Sequence, residues 1–218
     1  MLDRILPDST ESGPLVVVGS VAFDNVITPF GSQEGILGGA ASYCSFAASY
    51  FTQPRMVGVI GNDFGEEYVD RLKNRDIHLE GLQKDESGPT FFWKGKYHEN
   101  FNRRHALYTQ LNVFEKFRPD LPQSYLDSKF VLLGNIHPSL QMHVLDQLPG
   151  NPFVLADTID LWIEIERNAL LELIKRVSLF VINDTEAEEL TEEPNIILAG
   201  NKLRNLGPEA VIIKKGEH

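Results

Sequence analysis

Short apolar runs recur along the chain and alternate with segments whose apolar residues have helical spacing. Runs of four to six apolar residues bounded by glycine, proline or charge are typical of strands buried on both faces of a sheet. These runs predict strands at residues 15–18, 55–60, 130–133, 153–156, 178–182 and 210–213. The intervening segments predict helices at residues 40–51, 65–74, 163–177, 185–190 and 196–206. Strands that alternate with helices form βαβ units, so the sequence predicts a mostly parallel sheet.

The pattern changes between residues 88 and 114, where aromatic and charged residues nearly alternate. Near-alternation is typical of antiparallel strands with one solvated face. The aromatic residues of this stretch include Phe91, Phe92, Trp93, Tyr97, Phe101 and Tyr108. The pattern therefore predicts a small β-rich excursion from the main sheet. Its aromatic side chains could cover a substrate, and packing within the excursion would explain them equally well.

Composition and charge narrow the class of protein. The 218 residues are 42% hydrophobic and 23% charged, which is typical of one globular α/β domain with a substantial core. A net charge of −11 argues against a nucleic-acid partner, because such a surface needs clustered Lys and Arg. No apolar run approaches the roughly 20 residues needed to cross a membrane, so we expect no membrane partner.

The N-terminus and the cysteine content bear on cellular context. Residues 1–13 are polar and mixed in charge and lack the apolar core of a signal peptide, so we expect a short arm there. Residues 14–218 are expected to form one domain. The single cysteine, Cys44, leaves no internal disulfide and suits a reducing cytoplasm.

Candidate functional residues are those that come directly after the predicted strands, because ligands of parallel sheets bind outside the carboxyl ends of the strands. Asp24 comes after the first strand, where a carboxylate accepts hydrogen bonds from sugar hydroxyls; the residues alone equally allow a turn aspartate. Gly38-Gly39 precedes a predicted helix, where backbone amides favour oxygen-rich or anionic groups. No Gly-x-Gly-x-x-Gly follows the first strand, which argues against a dinucleotide-dependent reductase.

Later strands are followed by further polar residues. Asn183 and Glu186 are suited to Mg²⁺ as hard oxygen donors, and the same Asn-x-x-Glu spacing is that of a helix capping box. Both interpretations remain open from the residues alone. Structural roles are also open for the residues after two earlier strands: Asn135, His137, Asp157 and Asp160.

Taken in order, the motifs resemble the PfkB carbohydrate kinases, a ribokinase-like family. Asp24, Gly38-Gly39 and Gly61-x-Asp63-x-Gly65 resemble the family's N-terminal signature. Asn183-Asp184-Thr185-Glu186 resembles its Asn-x-x-Glu motif, and residues 211–216 resemble the strand that leads to its phosphate site. Each motif is weak by itself, but the set occurs in the right order.

The resemblance covers residues 15–218 and implies a fold and an activity. The implied fold is a three-layer α/β/α sandwich with a mostly parallel central sheet and a small β lid, with lid strands within about residues 25–37 and 88–114. The implied activity is transfer of the ATP γ-phosphoryl group to a hydroxyl of a sugar or nucleoside. Family members often pair through their lids, so a homodimer is an alternative to a monomer.

The resemblance also implies roles for individual residues. The substrate side would comprise Asp24, Gly38, Gly39, Tyr43, Asn135 and Asp157. The nucleotide and phosphate side would comprise Asn183, Glu186, Lys214 and Gly216. Glu186 and Asn183 would act on Mg²⁺ through water, and Lys214 would reach the γ-phosphate, although a solvated lysine at a strand end is the simpler alternative.

Two departures from the family pattern affect these expectations. Tyr43 stands where the signature carries asparagine, so the usual amide contact with a sugar is lost; the ring could stack on a ligand or fill space. The family's Gly-Ala-Gly-Asp motif, which supplies the oxyanion hole and the base, does not occur in the 218 residues. We therefore expect the base beyond residue 218, and no catalytic residue, no kinase turnover and some self-association for these 218 residues alone.

Two classes of function remain after this comparison. The first is a PfkB-type kinase that uses ATP and Mg²⁺, and the second is a non-catalytic remnant that binds a sugar or nucleoside. The sequence does not determine the acceptor. The aromatic stretch and Tyr43 favour a ring-bearing acceptor such as a nucleoside over a simple sugar.

Overall fold

The computed structural model describes residues 13–99 and 104–216, so the expected arm at residues 1–13 lies almost wholly outside the described residues. Strands occur at β1 Leu15–Val18, β2 Ala22–Thr28, β3 Gly31–Gly38, β4 Arg55–Ile60, β5 His78–Lys84, β6 Phe91–Tyr97, β7 Arg104–Gln110, β8 Phe130–Leu133, β9 Phe153–Asp157, β10 Leu179–Asn183 and β11 Ala210–Lys214. Helices occur at α1 Ala40–Ala48, α2 Glu66–Lys73, α3 Pro138–Gln147, α4 Asp160–Ile165, α5 Arg167–Ile174, α6 Asp184–Thr191 and α7 Ile196–Arg204.

The larger of two sheets has seven strands in the order β11-β10-β9-β8-β1-β4-β5. Strands β8 to β11 pair in parallel with their neighbours, and β4 pairs in parallel with β5. The apolar run of β1 is buried, with Val16, Val17 and Val18 fully inaccessible. The mostly parallel α/β sheet predicted from the sequence is therefore confirmed.

The chain separates into two compact units. The N-terminal unit runs from Val17 to Pro122, and the C-terminal unit comprises the residues up to Val16 and those from Gln123 onward. The N-terminal unit holds β2 to β7, and the C-terminal unit holds β8 to β11 and helices α3 to α7.

The N-terminal unit contains the second sheet, here called the small sheet, in the order β3-β2-β6-β7. Strand β2 is antiparallel to β3. Strand β6 is antiparallel to β7, as the alternating pattern of residues 88–114 indicates. The central pair, β2 and β6, is parallel instead. Strand β2 also begins earlier than the residues 25–37 assigned to the lid, and it includes Asp24.

An aromatic group ties the small sheet to the core of the N-terminal unit. The ring of Phe23 on β2 lies 5.6 Å from that of Phe64 and 4.9 Å from that of Tyr68, measured between centroids. Phe64 is 4% exposed and belongs to a buried cluster that also contains Val21, Leu37 and Met56. Burial of such side chains is the main favourable term in folding, so this packing holds the start of β2 in place.

In the C-terminal unit, the prediction of one helix over residues 163–177 is wrong. The segment forms α4 and α5, separated at Glu166, whose φ of −130° and ψ of 29° are not helical. Ile163 on α4 and Leu170 and Leu173 on α5 are all buried, so the apolar spacing continues across the break and conceals it. The second helix ends at Ile174, and Val177 is buried beyond it.

Candidate active site

The carboxylate of Asp24 is held directly over Gly38. Asp24 follows the end of β1, as predicted, but it lies inside β2, paired with Ile36 of β3 and Trp93 of β6, so the alternative of a turn aspartate is wrong. A Cβ atom at residue 38 would overlap the Asp24 carboxyl group. The absence of a side chain at Gly38 is therefore what gives this carboxylate its position.

Gly39, next to Gly38, makes a close contact of a different kind. It precedes α1 with φ of 90°, a conformation that favours glycine, and a Cβ atom there would overlap the backbone carbonyl of Ser20. The amide of Ala40 donates to the Ser20 hydroxyl at 3.1 Å, and the amide of Ala41 donates to the Ser20 carbonyl at 2.9 Å. The glycine pair thus lets α1 begin against the loop after β1.

These two contacts predict different outcomes for neighbouring glycines. Gly39→Ala should lower the free energy of unfolding by about 1–3 kcal/mol, because both the positive φ and the backbone overlap must be accommodated. Gly38→Ala should cost less, because the Asp24 side chain can rotate away, but it should displace that carboxylate. Urea denaturation of both variants measures the difference, and equal losses of stability would contradict the assignment.

Tyr43 lies on α1 near Asp24 and is 58% exposed. Partial burial raises the pKa of its phenol, and the nearby Asp24 and Tyr97 raise that pKa further. As in an unperturbed tyrosine, the hydroxyl is protonated at neutral pH and can donate a hydrogen bond. We call Asp24, Gly38, Gly39, Tyr43 and Tyr97 the acceptor cluster; all of them belong to the N-terminal unit.

A second group lies at the carboxyl ends of β9, β10 and β11 in the C-terminal unit. The register pairs Asn183 of β10 with Lys214 of β11, and Asp157 ends β9. The Lys214 ammonium lies 3.3 Å from the Asp157 carboxylate. We call Asp157, Asn183, Glu186 and Lys214 the phosphate cluster, after the role that the sequence predicts for three of them.

Asn183 and Glu186 form a complete capping box at the start of α6. The Asn183 side chain accepts from the Glu186 amide at 2.7 Å, and the Glu186 carboxylate accepts from the Asn183 amide at 3.0 Å. The capping interpretation left open by the sequence is thus present. The box uses only Oε2 of Glu186, so it does not by itself exclude a second role for that carboxylate.

Glu186 is 7% exposed, and its surroundings oppose its ionisation. Burial raises the pKa of its carboxyl group above the usual value; the Asn183 hydrogen bond and Lys214 lower that pKa, and Asp157 and Asp160 raise it. A buried carboxylate that is costly to ionise is a frequent feature of sites that bind cations or transfer protons.

The raised pKa gives a prediction for stability. Because the folded state holds the Glu186 proton more tightly, this group stabilises the fold fully below its unfolded pKa, and that contribution is lost as pH rises through the folded pKa. Glu186→Gln keeps an oxygen for the capping box and removes the charge. Relative to wild type, its unfolding free energy should therefore increase from pH 4 to pH 7.

Asn183→Ala is the matched control, because it breaks the cap and leaves the charge. It should lose about 1 kcal/mol of unfolding free energy. Urea denaturation across the pH range distinguishes the variants. A wild-type and Glu186→Gln pair with parallel pH profiles would contradict the raised pKa.

The remaining predicted residues of the C-terminal unit have separate surroundings. The Asn135 side chain accepts a hydrogen bond from the Trp162 indole at 2.7 Å. His137 caps α3 and lies 3.3 Å from the carboxylate of Glu166, the residue between α4 and α5. Gly216 follows β11 with φ of 64°, in the left-handed region.

The sequence did not reveal what Asp63 does within its motif. One oxygen of Asp63 accepts from both the hydroxyl and the amide of Thr90, each at 2.7 Å. The Gly61 amide donates to the Thr90 hydroxyl at 2.9 Å, and Thr90 is 1% exposed. A Cβ atom at Gly61 would overlap the backbone of residues 88–90. The motif therefore anchors the residue that precedes β6.

Neither a cluster of metal ligands nor a membrane-spanning helix occurs among the described residues. Within residues 13–99 and 104–216, no three Asp, Glu, His or Cys side chains are grouped closely enough to hold a metal ion. None of the helices in the described part of the chain is long and apolar enough to cross a membrane.

The sequence is similar to that of a cytidine kinase. It is 30% identical over 212 residues to a cytidine kinase of Thermococcus kodakarensis, and the match covers 93% of this chain and 73% of that protein. The chain belongs to the PfkB family of ribokinase-like sugar and nucleoside kinases. No model of a protein family matches the chain.

Solved structures agree with a PfkB-type fold. The Burkholderia thailandensis nucleoside kinase in complex with inosine has a TM-score of 0.77 at 16% identity, covering 94% of this chain and 71% of that one. The Arabidopsis thaliana ribokinase complexed with ribose and ATP has a TM-score of 0.73 at 20% identity, covering 94% and 73%. These likenesses show the ribokinase-like fold, and family membership identifies the chain as a sugar or nucleoside kinase. Kinases of this family use ATP.

Proposed function

We propose that the acceptor of this PfkB kinase is a nucleoside, with cytidine as the first candidate. The observation that carries the proposal is the Asp24 carboxylate fixed over Gly38 beside the Tyr43 ring. A carboxylate accepts hydrogen bonds from the adjacent hydroxyls of a ribose, and an aromatic ring offers a face to a base. The cytidine kinase that is 30% identical to this chain supports the same acceptor.

Tyr43 is the residue that favours a nucleoside over a free sugar. The family signature carries asparagine at this position, and an amide serves a sugar hydroxyl. Here the phenol also supplies a hydrogen-bond donor, and it adds an aromatic ring that is 58% exposed. An exposed ring beside a carboxylate fits a ligand that has both hydroxyls and a flat heterocycle.

We propose that the phosphate cluster binds the ATP phosphates. Lys214 supplies a positive charge that now pairs with Asp157 at 3.3 Å, and a phosphate oxygen would compete for it. Asn183 and Glu186 offer hard oxygen donors that fit Mg²⁺ through its water ligands. When bound, Mg²⁺ neutralises charge on the phosphates; the capping box holds Glu186 Oε2 in place, and Oε1 lies outside that box.

Titration calorimetry with a panel of acceptors tests the proposed substrate. Cytidine and other nucleosides should bind the protein more tightly than ribose and hexoses do, since they alone present a base to Tyr43. Tyr43→Phe should retain most of this preference, and Tyr43→Ala should reduce it. Ribose binding with no detectable heat from any nucleoside would overturn the proposal and indicate a sugar kinase.

A further inference from the structure

Strand β6 carries a tryptophan folded over a glycine on one face of the small sheet. A Cβ atom at Gly95 would overlap three atoms of the six-membered ring of Trp93, namely Cη2, Cζ2 and Cζ3. The six-membered ring of the indole therefore lies over Gly95, in the space that a side chain at residue 95 would fill. Trp93 is half-buried and Gly95 is buried.

The same face of the small sheet carries Asp24. Side chains on a strand alternate, so Trp93, Gly95 and Tyr97 of β6 share one face. Asp24 of β2 is the direct neighbour of Trp93 in the parallel pair, and the β2–β6 register is unbroken from Ala22 to Ile27. Neighbouring residues in register project to the same face, which places the Asp24 side chain with Trp93 and Tyr97.

The surroundings of Tyr43 agree with this placement. Both Asp24 and Tyr97 lie close enough to Tyr43 to raise the pKa of its phenol. The Trp93 indole covers Gly95, the residue midway between Trp93 and Tyr97 on this face. The acceptor carboxylate thus shares a face of the small sheet with Trp93 and Tyr97, which no sequence motif marks.

We propose that Trp93, seated on Gly95, is the stacking surface for the base of the acceptor nucleoside, an inference that rests on the proposed function. Gly95 is the positioning residue, because only a glycine lets the indole lie against the backbone. An indole ring stacks on any heterocyclic base, so Trp93 would favour nucleosides over free sugars.

Gly95→Ala tests the proposal by lifting the indole. The variant should bind cytidine roughly tenfold more weakly and ribose as wild type does, because base stacking is lost and the carboxylate is kept. Gly88→Ala is the matched control: its added Cβ meets only Val113, at 3.6 Å, and should change neither affinity. Thermal melting confirms that both variants fold.

Tryptophan fluorescence provides a second readout that does not depend on Gly95→Ala being folded. Cytidine should quench the emission of the wild type, ribose should not, and Trp93→Phe should lose the quenching while Trp162 remains. Wild-type cytidine affinity in Gly95→Ala, or equal losses for cytidine and ribose, would overturn the stacking assignment alone. Ribose binding by the wild type without any nucleoside binding would overturn the proposed function together with it.

Discussion

Replacement of Asp24 by alanine should weaken cytidine binding about 10- to 150-fold, the equivalent of losing a hydrogen bond to a charged group. The carboxylate lies over Gly38, which leaves room for it, and removing it removes an acceptor for the ribose hydroxyls. Asp24→Asn should lose less, because the amide oxygen still accepts. Titration calorimetry measures all three affinities.

The control for Asp24 is an acidic residue of the same unit that is exposed and distant in sequence. Asp70 near the end of α2 meets this description, and Asp70→Ala should leave cytidine binding unchanged. If Asp24→Ala binds cytidine as wild type does and melts at a lower temperature, the residue serves only the β2–β3 pairing. That result would remove the acceptor cluster from the account.

Replacement of Lys214 by alanine should weaken the binding of Mg·ATP by a similar factor, about 10- to 150-fold, because a charge-assisted hydrogen bond to phosphate is lost. Lys175→Ala is the matched control, since Lys175 has comparable exposure and also pairs with a carboxylate, that of Glu172. Titration of Mg·ATP into each protein measures the effect. Equal affinities in the two variants would make Lys214 a surface lysine with an ion pair.

One substitution at Asp157 distinguishes two possible roles of this residue. The sequence groups it with the substrate residues, and the structure pairs it with Lys214. If it restrains Lys214, Asp157→Asn should raise or maintain the affinity for Mg·ATP, because the lysine loses a competitor. If Asp157 binds the acceptor, the same substitution should weaken cytidine binding. The two titrations on one variant decide between these outcomes.

The parallel sheet was predictable because its strands are continuous apolar runs. Strand β5 was not, since its sequence contains His, Glu, Gly, Gln and Lys, which are poor markers of a strand at the edge of a sheet. Helix α3 was missed for a related reason: its buried positions include Gln141, whose amide donates to the Leu133 and Gly134 carbonyls. Periodicity detects apolar surfaces and not buried polar side chains that hydrogen-bond to the backbone.

The candidate site was predictable only where spacing along the chain carried the information. Asp24, the glycine pair and Asn183-x-x-Glu186 could be selected from the sequence, although the strand that contains Asp24 could not. The Asp63–Thr90 hydrogen bonds and the seating of Trp93 on Gly95 depend on pairings made in three dimensions. In the sequence, the local sign of this contact is a glycine two residues after a tryptophan in a strand. Its significance appears only once the pairing of β6 with β2 is known.

A crystal structure of the protein with cytidine tests the central claim most directly. We expect the ribose hydroxyls to lie within hydrogen-bonding distance of the Asp24 carboxylate. The cytosine ring should stack on the Trp93 indole and lie beside Tyr43. Cytidine bound away from Asp24, or bound there with its base directed away from Trp93, would contradict that claim.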